Sequence, residues 1–240
     1  MTDAPTTRTP SAWRQFRLLF IRDIRLEMHS FDMLSSMGFY SVLVLVIFGA
    51  ALAQSSSQVD ILELSGGLMW TMIVFTSLLG LNRAFAAESE DGGLDGILLV
   101  PLDRSVIFLA KMASNLVFLL VVELIACPLF YFFFLSQTKP GATLVFSLLP
   151  LVVGSIGIAG VGTLLATITN STRTRDVMLA ILFVPLAYPL LYAVVAATTV
   201  AITGASNFDA VFIPSIALAT GYDVIMVSIS WLLYPYVVAA

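Results

Sequence analysis

Two groups of acidic residues in this chain could support binding or proton chemistry. Five carboxylates cluster between Arg83 and Lys111, in a segment that separates two long apolar stretches: Glu88, Glu90, Asp91, Asp95 and Asp103. Two further acids, Glu123 and Asp223, lie inside apolar stretches. Because a lipid core disfavours charge, the first group is expected in water beside a membrane. Acids inside a membrane span are candidates for handling protons or substrate.

The acidic segment predicts a short amphipathic helix that binds a soluble partner. Leu94, Ile97 and Leu98 follow the i, i+3, i+4 spacing of one helix face. Gly92 permits a tight turn into this helix, and Pro101 ends it. A helix presented between two spans is a docking surface for another protein. The candidate partner-binding residues of this coupling helix are Glu88, Glu90, Asp91, Gly92, Leu94, Ile97, Leu98 and Pro101.

Chemical motifs elsewhere in the chain are few. No GxxxxGK[ST] run occurs, so ATP binding through a P-loop is not expected. The single histidine, His29, and the single cysteine, Cys127, exclude a histidine-pair metal site and an internal disulfide. No catalytic residue and no metal ligand is therefore predicted. Glu123 and Asp223 are either protonated and hydrogen-bonded within a helix bundle or functional acids, and Asp223 could lie near a membrane boundary.

Prolines and glycines in the apolar stretches predict bent helices and close helix contacts. Pro185 and Pro189 lie four residues apart, and each removes a backbone donor and bends a helix. Both are possible functional positions, because bent helices suit a bundle that changes shape. Close helix packing is favoured over a substrate passage as the explanation for four glycines in the fourth apolar stretch: Gly154, Gly157, Gly160 and Gly162.

Composition assigns the chain to the lipid bilayer. Of its 240 residues, 59% are hydrophobic and 11% are charged, which is unusual for a soluble domain. A stretch of about 20 apolar residues can cross a bilayer as a helix. We therefore expect an all-α membrane protein with six spans, at Leu34–Ala53, Gly66–Asn82, Ser105–Leu135, Ala142–Ile168, Val177–Ile202 and Val211–Val238. The third and sixth are long enough to require a tilt, a kink or a re-entrant start.

Charge and amphipathicity predict the organisation and orientation. Residues 1–12 are predicted to be disordered, residues 13–30 to form an amphipathic helix at the membrane interface, and residues 31–240 to form the six-helix domain. Ten basic residues fall on one side of the spans and only Lys139 on the other. Both termini are therefore predicted to be cytoplasmic. A cleaved signal peptide is disfavoured because the basic region before the first span is too long.

Three groups of residues resemble a known family. They are Glu90-Asp91-Gly92-x-Leu94 with Leu98-Leu99-x-Pro101 and Leu109-Ala110-Lys111; Thr172-Arg173 through Val184-Pro185-Leu186-Ala187-Tyr188-Pro189-Leu190-Leu191; and Tyr234-Pro235-Tyr236. Together they resemble haem exporter protein B, the permease subunit family of the cytochrome c maturation ABC system, over most of residues 83–240. The resemblance implies a type-2 ABC exporter-like permease domain with an N-terminal interfacial elbow helix, six spans and a cytoplasmic coupling helix.

The resemblance also implies partners and cargo. A separate ABC subunit binds ATP, and a haem-handling membrane protein and a periplasmic haem chaperone join the complex. The chain itself is then no enzyme and holds no cofactor, since haem is handled by the complex. Its implied role, in a bacterial inner membrane, is to couple ATP hydrolysis in the partner to haem delivery or to release of the haem-loaded chaperone at the periplasmic side. No nucleic-acid partner is expected.

Two alternatives stay open from the residues alone. The chain could be an ABC permease for another cargo, such as a drug, a lipid or a polysaccharide. It could also be a self-contained intramembrane enzyme or proton-coupled transporter that uses Glu123 and Asp223. The acidic loop and the missing nucleotide motif favour an ABC permease, and only the resemblance favours haem as its cargo.

Overall fold

Long α-helices dominate the part of the chain that the structure describes. This computed structural model describes residues 11–54, 60–90, 103–136, 143–169 and 175–238. The α-helices within these ranges are α1 Ala12–Ser30, α2 Asp32–Gln54, α3 Ile61–Glu90, α4 Arg104–Phe130, α5 Leu148–Thr169, α6 Arg175–Thr203 and α7 Phe208–Val237. A π-helix, Tyr131–Leu135, extends α4, and a 3₁₀ turn, Leu144–Ser147, precedes α5. The prediction of an all-α fold is confirmed in these ranges.

Among the residues that the structure describes, six helical segments are long and apolar enough to cross a membrane, as predicted. They are Asp32–Ala53, Ile61–Ala84, Arg104–Leu135, Leu144–Thr169, Val177–Thr203 and Phe208–Val237. A helix satisfies its backbone donors and acceptors internally, which a lipid environment requires. Large apolar side chains such as Phe39, Leu124 and Ile181 are exposed on the outside of the bundle. That exposure suits contact with lipid.

The amphipathic helix α1 lies against one end of the bundle. Trp13, Phe16 and Phe20 stack along it, with successive ring centroids 5.6 and 5.9 Å apart. Leu19 of α1 is buried in an apolar cluster with residues from the start of α4 and the end of α7. The other members include Ile107, Phe108 and Tyr234. The segment predicted to be disordered lies outside the described residues, apart from its last two positions.

The junction between α1 and α2 uses a left-handed residue and a side-chain cap. Phe31 has a φ of 55°, a region that costs a residue with a side chain roughly 1–2 kcal/mol. Its N–H donates to the Glu27 carbonyl at 2.7 Å. The Leu34 N–H donates to Glu27 Oε1, also at 2.7 Å. The Glu27 carboxylate therefore satisfies a backbone donor at the start of α2, where the helix dipole favours negative charge.

This cap should make the junction sensitive to pH. Burial raises the pKa of Glu27 above 4.5, against the opposing effect of the Leu34 and Met33 backbone hydrogen bonds. Because the folded protein then binds the Glu27 proton more tightly than the unfolded chain, stability falls as the pH rises through the folded pKa. We expect the thermal midpoint of Glu27→Gln in detergent to fall less than that of the wild type between pH 4.5 and neutrality. Identical pH profiles would contradict a titrating cap.

The helix α6 packs against α3, α5 and α7. Trp70 on α3 is 1% exposed, and its Nε1 donates to Thr198 Oγ1 on α6 at 2.9 Å. One turn earlier on α3, Gly66 faces the Val195 carbonyl and the Thr199 side chain of α6. A small residue at this position lets the two backbones approach closely.

The four glycines of α5 serve close helix packing, as predicted. A side chain at Gly154 or Gly162 would meet Trp70 or Leu81 of α3. On other faces of α5, the neighbours of Gly157 are Asp223 and Leu190, and the nearest neighbour of Gly160 is Val227. These glycines therefore let three helices pack directly onto α5.

Pro185 and Pro189 lie inside α6, which stays helical across both. Each proline removes the donor that would bond to the carbonyl four residues earlier. Tyr222 Oη on α7 donates to the Leu186 carbonyl, within this stretch, at 2.7 Å. A functional role for the two prolines stays a prediction.

Candidate functional site

The predicted loop between Arg83 and Lys111 is shorter in the structure at both ends. The helix α3 continues to Glu90, beyond the predicted end of the second span at Asn82, whereas α4 begins at Arg104, one residue before the predicted start of the third span. The residues after Arg83 are rich in alanine and glutamate, which favour helix. Glu88 therefore belongs to the last turns of α3. Lys111 is a buried residue of α4, 7% exposed.

The predicted coupling helix itself lies outside the described residues. The positions affected are Asp91, Gly92, Leu94, Ile97, Leu98 and Pro101. Their role in partner binding stays a prediction, as does that of Glu88 and Glu90. The structure does describe the two helix ends that flank residues 91–102, which are the end of α3 at Glu90 and the start of α4 at Arg104.

Polar contacts fix the start of α4 to two other helices. The Asp103 side chain caps α4 by accepting from the Ser105 N–H at 3.0 Å. The Asp103 N–H donates to Gln15 Oε1 on α1 at 3.1 Å, and Gln15 is 6% exposed. Arg104 Nη1 donates to the Pro235 carbonyl near the end of α7, also at 3.1 Å. The start of α4 is therefore joined by hydrogen bonds to both α1 and α7.

The hydrogen bonds that Gln15 and Arg104 make at the start of α4 were not predicted from the sequence. The burial of Gln15, which requires a hydrogen-bonding partner, is seen only in the structure. No local signal could have found the bond from Arg104 to Pro235, since the two residues lie 131 positions apart.

The two intramembrane acids lie on different faces of α5. Glu123 on α4 is 3% exposed, and its two carboxyl oxygens lie 2.8 and 3.0 Å from Ser155 Oγ on α5. Asp223 on α7 is 6% exposed and packs against Gly157. Ser155 and Gly157 are two residues apart, which separates them by about 200° around the helix. The structure therefore does not unite Glu123 and Asp223 in one site.

Asp223 lies in the middle of its span. The helix α7 runs from Phe208 to Val237, so Asp223 is about four turns from its start. The expectation that a late start could bring Asp223 near a membrane boundary is wrong. Its Oδ1 atom has no hydrogen-bond partner among the described residues. Nor do three or more His, Cys, Asp or Glu side chains come together there to hold a metal ion.

The six apolar segments define a multi-pass membrane protein. The family model described as CcmB protein matches residues 14–239, and the chain belongs to that family. This makes it a permease of the haem exporter B type rather than an enzyme.

Curated relatives agree with the family match over most of their lengths. Haem exporter protein B of Bradyrhizobium diazoefficiens is 30% identical over 202 residues, which cover 81% of this chain and 85% of the relative. The protein of the same name from Paracoccus denitrificans is 29% identical over 85% of this chain and 92% of its own length. That from Pseudomonas aeruginosa is 27% identical over 73% and 77%.

Proposed function

We propose that the chain is the permease subunit of an ABC complex for cytochrome c maturation. The family match over residues 14–239 is the observation that carries this proposal. ATP is bound and hydrolysed by a separate ABC subunit, since the chain has no P-loop sequence. Hydrolysis drives haem delivery, or release of a haem-loaded chaperone, at the periplasmic side. Haem is cargo of the complex and not a cofactor of this chain.

The coupling route begins at the proposed helix within residues 91–102. Its apolar face, Leu94, Ile97 and Leu98, inserts into a groove on the ATP-binding subunit. The bonds from Asp103 to Gln15 and from Arg104 to Pro235 support this route, because they join the exit of the segment to α1 and α7. Movement of the partner on ATP binding and hydrolysis is then passed to α3 and α4 as rigid elements.

The remaining partners lie in and beyond the membrane. A haem-handling membrane protein contacts the outward-facing apolar surface of the bundle, and a periplasmic haem chaperone receives the cargo. The complex occupies the bacterial inner membrane, with the N and C termini of this chain in the cytoplasm. The ten-to-one distribution of basic residues supports this orientation.

The orientation predicts which loops a membrane-impermeant thiol reagent can reach. Single cysteines at Ser56 and Thr174, two positions outside the described residues, are placed in a Cys127→Ala background. In cells whose outer membrane is permeabilised and whose inner membrane is intact, we expect labelling of Ser56→Cys but not of Thr174→Cys. Thr174→Cys should become labelled only after the inner membrane is permeabilised. The opposite pattern would overturn the topology.

The proposed function predicts a selective loss of c-type cytochromes. Deleting the gene should abolish covalent haem attachment to c-type cytochromes while b-type cytochromes keep their haem, and a plasmid copy should restore attachment. Haem-stained gels and difference spectra of membranes measure both classes. Normal c-type cytochromes in the deletion strain, or equal loss of both classes, would contradict a role in cytochrome c maturation.

A further inference from the structure

Two polar pairs join the antiparallel helices α4 and α5. Asn115 Nδ2 donates to Thr163 Oγ1 at 3.0 Å, and Ser155 Oγ lies within 3.0 Å of both Glu123 carboxyl oxygens. The two pairs are eight residues apart on each helix, which is about 12 Å along the axis. We call this contact, defined by Asn115, Glu123, Ser155 and Thr163, the polar seam.

The hydrogen-bond geometry at Ser155 constrains where the proton of Glu123 lies. Ser155 Oγ is 2.7 Å from the Leu151 carbonyl as well as 2.8 Å from Glu123 Oε1. A serine hydroxyl carries one proton and can donate only one such bond. If Ser155 donates to Leu151, the carboxyl must be the donor in the bond to Ser155, and therefore protonated. An ionised Glu123 would instead compete with the Leu151 carbonyl for the single proton of the Ser155 hydroxyl.

The surroundings of Glu123 favour the protonated arrangement. Glu123 is 3% exposed and Ser155 is fully buried. Ser155 is the hydrogen-bonding partner that acts on Glu123, and no cation among the described residues is found to act on it. Cys127, one turn further along α4, is the other titratable group that faces Glu123. A buried carboxylate with one hydrogen bond and no cation is strongly disfavoured.

A small cavity gives the seam a place for water. Its lining includes Ser77, Asn115, Leu119 and Ala159, and it has room for about one water molecule. Leu119 is one helical turn from both Asn115 and Glu123, so the cavity borders the gap between the two polar pairs. Glu123 and Ser155 do not themselves line the cavity. A water molecule held there between the hydroxyl of Ser77 and the amide of Asn115 would be separated from Glu123 by Leu119, one helical turn away along α4.

We propose that the polar seam is a membrane-embedded proton-binding site, in which Glu123 carries the proton and Ser155 accepts its hydrogen bond. The ligand is a proton and not a metal ion, because no cluster of potential metal ligands forms among the described residues. The site is independent of the cargo and of the ATP-binding partner, so it stands or falls separately from the proposed function.

Infrared difference spectroscopy of the purified full-length chain in lipid nanodiscs at neutral pH tests the site. The wild type should show a protonated carboxylic-acid C=O band that Glu123→Gln removes. The isosteric amide can still donate to Ser155, so Glu123→Gln should keep the thermal midpoint of the wild type. Ser155→Ala should retain the band but shift it, because the acid loses its acceptor. Asp223→Asn is the matched control, a second buried acid whose replacement should leave the Glu123 band unchanged.

Each alternative outcome is decisive. If Glu123→Gln removes only an ionised carboxylate band, Glu123 is charged and the proposal is wrong. It is equally wrong if the protonated band disappears in Asp223→Asn and not in Glu123→Gln. The band should also move on transfer to D₂O, and a band that does not move after prolonged exchange would contradict an exchangeable proton on Glu123.

Discussion

Changing Leu94 and Leu98 together to aspartate is expected to release the ATP-binding subunit while the chain stays in the membrane. Each leucine is a predicted apolar anchor worth about 1.5–3 kcal/mol when buried. Losing both should weaken the complex roughly 100-fold or more. The new carboxylates would also be buried without partners, which adds to the cost. No membrane span changes, so insertion should be normal.

Affinity purification from membranes measures this effect as the amount of ATP-binding subunit recovered per chain. The matched control is Leu94→Met with Leu98→Met, which keeps an apolar face and good helix propensity. We expect the methionine variant to retain the partner and the aspartate variant to lose it, with parallel loss of c-type cytochromes. Recovery of the partner at the wild-type level with the aspartate variant would show that residues 91–102 are not the main docking segment.

Replacing Gly66 by alanine is expected to destabilise the bundle, whereas the same change at the neighbouring Gly67 is not. A Cβ atom at Gly66 would lie 2.8 Å from the Val195 carbonyl oxygen, part of the α6 backbone, and would also meet Thr199 Oγ1. Backbone cannot move aside as a flexible side chain can, so overpacking of about 1–3 kcal/mol is expected. Gly67 has no atom within 4 Å of such a Cβ.

Comparing Gly66→Ala with Gly67→Ala distinguishes the effect of helix packing from the effect of helix propensity. Alanine favours a helix over glycine by about 1 kcal/mol at either position in a water-based scale. Gly67→Ala should therefore keep or raise the thermal midpoint of the detergent-solubilised protein, and Gly66→Ala should lower it by several degrees. Size-exclusion chromatography of heated samples provides the measurement. Equal midpoints for the two variants would contradict the close approach of α3 and α6.

The spans were predictable from the sequence because length and apolar composition alone determine whether a helix can cross a bilayer. The end of α3 was not predictable. Glu88 and Glu90 indicate that this part of the chain lies in water, but not whether its backbone forms a helix or a loop. Alanine and glutamate extend the helix beyond the apolar region. Polar composition therefore indicated where the apolar part of α3 ends and not where the helix itself ends.

The tertiary partners of the candidate residues could be predicted only in part. Glu123 stood out as an acid in a span, but its partner Ser155 lies 32 residues away and depends on the register of two antiparallel helices. The matching eight-residue spacings, Asn115 to Glu123 and Ser155 to Thr163, were visible in the sequence and become meaningful once that register is known. The bonds of Gln15 and Arg104 depend on how α1 and α7 meet α4, which no local pattern encodes.

The central claim is that this permease works with a separate ATP-binding subunit, and isolation of the complex tests it most directly. The tagged chain is purified from native membranes in mild detergent, its partners are identified by mass spectrometry, and ATP hydrolysis is measured with and without them. We predict that an ABC ATP-binding subunit co-purifies in a fixed ratio and that hydrolysis disappears when it is removed. A chain that purifies without an ATP-binding subunit while supporting normal cytochrome c assembly would contradict the claim.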